Sequence, residues 1–132
     1  MSQSEHYAII KHVSTDFDTT IQAVTEALKS QGFGILSTID VSGTLKKRLN
    51  ADHPRTTILG ACNPQFAHQV LTATADISTL LPCNVVVREG ENGIEVAAFN
   101  PMVMVDVVDD ASVAEVAPQV SERIRNALEA LT

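Results

Sequence analysis

The chain reads as an α+β protein in which a mostly antiparallel sheet is covered on one face by helices. Three observations predict this. Residues 83–99 hold two alternating, valine-rich stretches on either side of Gly90-Glu91-Asn92-Gly93, the pattern of a β-hairpin. Phe17, Ile21, Val24 and Leu28 recur at helical spacing, as do Val113, Val116, Val120, Ile124, Leu128 and Leu131, so two stretches carry an apolar stripe. Strand-like and helix-like segments interleave with no internal repeat or low-complexity tract, which suits a sheet of about five strands and a helical layer. The second sheet face is then left for solvent, a ligand or a second subunit.

Residues 7–13 have β-rich character and predict the first strand, and residues 14–18 supply N-cap candidates for the helix carrying Phe17 to Leu28. Gly32 is well placed to end that helix in the left-handed conformation. Residues 34–40 alternate as a strand buried mainly on one face would. Val41-Ser42-Gly43 has turn chemistry, followed by a short helix over 44–49 and a polar, proline-containing loop over 50–55. Residues 56–62 predict a strand. Asn63-Pro64 then reads as an N-cap with proline in the first helical position, opening a helix to about residue 74 that buries Ala67, Val70 and Leu71. Residues 76–81 predict one more helical turn, stopped by Pro82. After the hairpin, residues 101–108 suit either a strand or a tight helical turn. Ser112 and Glu115 fit a capping box for the last helix, in which Pro118 either causes a kink or starts a new helix.

Length and composition exclude several classes. The 132 residues suit one domain over 1–132, with a polar tail at 1–6. With 45% hydrophobic residues the chain can bury a core without staples, so disorder is not expected. A net charge of −7 argues against duplex nucleic acid as a partner, and 4% aromatics with no Trp leaves few platforms for stacking bases. No run approaches the roughly 20 apolar residues of a membrane span, and the first dozen residues lack a leader pattern. The expectation is a soluble cytoplasmic protein whose two cysteines stay reduced. Charge is unevenly divided: residues 1–60 hold six acids and six bases, residues 61–87 hold only Asp76, and residues 88–132 hold nine acids and three bases. Both cysteines fall in the nearly neutral stretch.

That stretch is the most informative. Cys62-Asn63 and Cys83-Asn84 repeat a Cys-Asn pair, the first where a strand hands over to a helix, the second where a strand begins after a proline. A thiol at a helix N-terminus meets backbone N–H groups and the positive dipole end, which predicts a lowered pKa at Cys62. If the two strands are antiparallel neighbours, both thiols come to one end of the sheet and could ligate a soft metal or cycle between dithiol and disulfide. Against this stands the ordinary use of free cysteine as a small buried hydrophobe. Two cysteines do not fill a tetrahedral zinc site, and there is no CxxC or HxxxH pair. His68, five residues after Asn63, could serve Cys62 as a base, although a half-exposed helix histidine is the plainer reading. Lys46, Lys47, Arg48, His53 and Arg55 form a basic cluster that suits a solvated face better than an anion site. No phosphate loop or dinucleotide fingerprint is present, so no cofactor is specified.

The segments GACNPQFA and LLPCNVVVRE, with GFGILSTIDVSGTLKKRL upstream, closely resemble the bacterial and archaeal family known as domain of unknown function 302, over about residues 17–101. The resemblance implies a fold similar to the TATA-box-binding-protein class, strand, helix, four strands, helix with extra short helices, in one copy per chain and dimeric. A shared fold does not imply DNA binding. It also implies that Asp40, Cys62, Asn63, Pro64, Leu81, Pro82 and Cys83 define the family pattern, without an activity. The leading expectation is a homodimeric accessory protein that binds a small ligand or soft metal, or senses redox state, near Cys62, Asn63, Cys83 and Asn84. The alternatives are a thiol-dependent enzyme using Cys62 with His68 or Asp40 as base, and a structural or partner-binding module.

Overall fold

A computed structural model describes residues 6–132, so most of the tail expected at 1–6 lies outside the described residues. The elements run β1 (Ala8–Val13), α1 (Phe17–Ser30), β2 (Gly34–Asp40), α2 (Val41–Leu49), β3 (Thr56–Cys62), α3 (Pro64–Ala73), a 3-10 turn (Ala75–Leu80), β4 (Cys83–Gly90), β5 (Gly93–Phe99), α4 (Val103–Val107) and α5 (Ala111–Glu129). The five strands form one open antiparallel sheet in the order β1-β5-β4-β3-β2. The α+β class is as the sequence predicts.

Sheet register divides the residues between two faces, because paired residues share a face and neighbours along a strand do not. On the helix side, Ile9, Ala98, Val85 and Leu59 stand side by side, followed by Val96 beside Val87 and Ala61 beside Cys83. Val24 and Leu28 of α1 and Val113, Ile124 and Leu128 of α5 close over them, all nearly inaccessible. Each such side chain contributes about 1.5–3 kcal/mol on burial. On the other side an apolar row crosses the whole sheet, Ile10, Ala97, Val86, Ile58 and Ile39, one residue from each strand. Beside it runs a charged row: Glu95 is paired with Arg88 at 3.0 Å and with His12 at 3.6 Å.

Caps explain most of the local differences from expectation. Residues 41–43 are the first turn of α2 and not a separate turn, because Asp40 Oδ1 accepts the Gly43 N–H at 3.0 Å and the Ser42 hydroxyl at 3.2 Å. The last helix starts earlier than a Ser112/Glu115 capping box requires: Asp110 Oδ1 accepts the N–H groups of Ser112 and Val113, at 2.8 and 3.3 Å. Pro118 lies inside one continuous α5. Residues 101–108 resolve into a turn and then α4, the Asn100 side chain accepting the Met102 N–H at 3.1 Å. β2 is an edge strand, and only Ile35 on it is partly buried, so the one-sided burial expected there is not found. Gly32 does end α1, with φ +87°.

Candidate functional site

Where β3 ends and β4 begins, the sheet, α3, the 3-10 turn, α4 and α5 leave a cavity of about 340 Å³. Its wall is almost wholly apolar: Phe33, Phe66, Val70, Leu81, Met104 and Val116 supply much of it, with Cys62, Asn63 and Cys83 among the remaining lining residues. The chain reaches this point from several directions because β3 and β4 pair antiparallel, with Ala61 opposite Cys83. The expected meeting of the two cysteine strands at one sheet end is therefore found.

The thiols do not behave as a dipole argument predicts. Burial raises the Cys62 pKa, and it pushes the Cys83 thiol up to about 11, with neighbouring Cys62 adding to the rise. The lowering expected from the helix end fails because Asn63 intervenes. Its Oδ1 accepts the Phe66 N–H at 3.2 Å, its carbonyl accepts the Ala67 N–H at 2.9 Å in the first bond of the helix, and Pro64 has no N–H, so the first turn of α3 has little left to offer the sulfur. What remains around Cys62 is mostly hydrocarbon, which penalises a thiolate. Cys62 stands one residue beyond the Ala61–Cys83 pair, yet both cysteines line the cavity and Cys62 is near enough to add to the rise at Cys83. Among the described residues, no group of three or more His, Cys, Asp and Glu side chains could hold a metal ion.

The other expected site residues lie elsewhere. Asp40 pairs with Thr57, five residues along β3 from Cys62, a separation of roughly 16 Å at the rise of a strand. It caps α2. His68 is on the exposed side of α3, over a surface hollow shared with Gln69, Thr72, Ser112 and Glu115. Asn84 is exposed and stands opposite Gly60 on the sheet face away from the helices. Of the six candidates, Cys62, Asn63 and Cys83 line the cavity, and Asn84, Asp40 and His68 do not. Leu71, expected to be buried, is 37% exposed and lines the cavity, as does Leu36, 70% exposed at the irregular point of β2 between Ile35 and Ser37.

Sequence reasoning missed Phe33, Phe66 and Met104 in the apolar wall, and it met Val116 only as a core-stripe residue and Leu81 only as a family-pattern position. The readable signal is the single charge between residues 61 and 87, which marks a stretch that leaves water. Gly60 adds a packing constraint at the same sheet end, since a Cβ there would collide with Ser37 Oγ and come within 2.9 Å of Pro82 Cγ.

Comparison with known proteins agrees with this architecture. No curated protein matches the chain. Among solved structures, an uncharacterized conserved protein DUF302 from Bacillus stearothermophilus superposes with a TM-score of 0.87 at 29% identity, over 92% of this chain and 95% of that one. The family model described as domain of unknown function DUF302 matches residues 9–131. With the motifs around Cys62 and Cys83, the five-stranded open sheet and a match across nearly the whole chain, this protein belongs to the domain of unknown function DUF302 family.

Proposed function

We propose that this protein is a non-catalytic accessory protein that binds a small molecule in the cavity beside Cys62, Asn63 and Cys83. The observation that carries this is the cavity itself: about 340 Å³, apolar, and bordered by ordered helices and strands. That volume is in the range of small-ligand sites. Catalysis by Cys62 has less support, because its thiol is held in the protonated form and His68 and Asp40 stand away from it. The test is a fragment set of mixed charge titrated into ¹⁵N-labelled protein. Saturable shifts at the amides of Ala67, Val70, Cys83 and Val116 are expected with at least one fragment, and removed by Ala67→Phe, which fills the cavity. A set in which no fragment moves those amides contradicts the reading.

A second copy of the chain on the open sheet face completes it. The row Ile10, Ala97, Val86, Ile58 and Ile39 gives a continuous apolar spine, and self-complementary burial of such a row suits a two-fold contact. Two chains of net charge −7 repel, but the strands expose only Glu95 as an acid on this face, and Arg88 and His12 flank it. Light scattering is expected to give twice the 14.1 kDa chain mass, and Ile58→Asp to return it to one chain. A wild-type monomer at high concentration contradicts the second copy and leaves the cavity reading intact.

A further inference from the structure

We infer that the cavity selects an uncharged, apolar molecule of one or two rings and rejects carboxylates and amines of the same shape. The inference rests on the small-molecule reading of the cavity and narrows it to one ligand class. Size follows from volume: about 340 Å³ lies at the small end of ligand sites, which suits a compact molecule of one or two rings.

Charge selection follows from an inventory of the polar groups. No lining residue is an Asp, Glu, Lys, Arg or His. The Asn63 carbonyl oxygens of side chain and backbone already accept from Phe66 and Ala67, and the Ser78 hydroxyl donates to the Ala75 carbonyl at 2.8 Å. Among the described residues, no fully buried side-chain nitrogen or oxygen lacks a partner, and the Asn63 side-chain N–H groups, on the side of Gly32, are the one neutral amide donor the lining side chains offer. The two thiols are weak donors, and both are held protonated by the same hydrocarbon surroundings that would penalise a ligand charge.

An ionised group could escape the penalty only by staying at the mouth. There the lining residues with appreciable exposure are mostly apolar, Leu36, Leu71, Leu81 and Pro82, with Ser78 the one exposed hydroxyl, so a charge at the opening gives up water mainly to apolar neighbours. That desolvation is costly for an ion, whereas a neutral ring system gains from leaving water. Dry apolar cavities accept compact hydrocarbons for this reason.

The experiment compares naphthalene, 2-naphthoate and 2-naphthylmethylammonium at pH 7, following naphthalene-ring fluorescence and the amides of Ala67, Val70 and Val116. Naphthalene is expected to saturate the site, with both ions bound at least about tenfold more weakly, a difference of about 1.4 kcal/mol. Either ion binding within tenfold of naphthalene overturns the charge selection while leaving a ligand cavity standing. Failure of all three compounds to bind overturns the inference, and only failure of the whole mixed-charge fragment set overturns the small-molecule reading beneath it. All three titrations use wild-type protein, so the outcome does not depend on whether a cavity-filling variant folds.

Discussion

The most direct consequence of the site's apolar character is a slow thiol. At pH 7 a cysteine with the ordinary pKa of 9.0 is about 1% thiolate, and one at about 11 is about 0.01%, so ionisation alone slows Cys83 alkylation about 100-fold. Its 7% exposure slows it further. The measurement is iodoacetamide labelling followed by mass spectrometry, in wild type and in Cys62→Ala. In wild type, Cys62 is expected to react first, being half-exposed. In Cys62→Ala the second and smaller cause of the rise is gone, yet burial remains the larger one, so the pH–rate inflection of Cys83 should stay above 9.0. Stability follows the same linkage. The folded pKa exceeds the unfolded one, so this contribution is whole below pH 9 and is lost as pH climbs towards 11, about 3 kcal/mol in all. Alkylation of Cys83 at pH 7 within tenfold of a peptide thiol, or an inflection at or below 9.0, would refute the desolvated site.

Three further outcomes are expected. Leu59→Ala removes a fully buried side chain of β3, beside Val85 on the helix-covered face, and should cost about 2–5 kcal/mol in urea denaturation, with the slope unchanged. Asn63→Ala should cost about 1 kcal/mol by stripping the cap of α3, and Asn63→Ser, an uncharged cap, should recover part of it; equal losses in both would mean that the hydrogen bond to Phe66 is not what matters. Pro118→Ala should raise the melting temperature, because an exposed proline in the middle of α5 withholds an N–H from the carbonyl one turn earlier, at a cost of up to about 3 kcal/mol. A melting temperature that falls instead would assign Pro118 a packing role.

Much of this fold is legible in the amino-acid sequence, for reasons specific to each segment. Val24 and Leu28 lie four apart, so any helix there puts them on one face, and the Gly90 to Gly93 turn draws β4 and β5 together. Asn63-Pro64 marks the start of α3 because a cap needs only the residues beside it. The antiparallel meeting of Cys62 and Cys83 follows from reading the two cysteine segments as neighbouring strands, and register then sets Ala61 against Cys83.

Other features depend on sums over residues distant in the chain. The helix end and the surrounding hydrocarbon act on Cys62 with opposite signs, and only the packed wall of Phe33, Phe66, Met104 and Val116 decides that desolvation wins. His68 and Asp40 are near Cys62 or near a motif in sequence, yet one faces solvent and the other lies at the far end of β2. β2 alternates like a half-buried strand, but among the described residues no sixth strand lies beyond it. The kinds of elements, most of their limits and the neutral stretch that leaves water are legible along the chain, because propensity, capping and periodicity act between near neighbours. That this stretch helps line an open-mouthed cavity with protonated thiols, and that an apolar row crosses the opposite face, emerges only in the folded chain, because burial and strand register arise when distant segments meet.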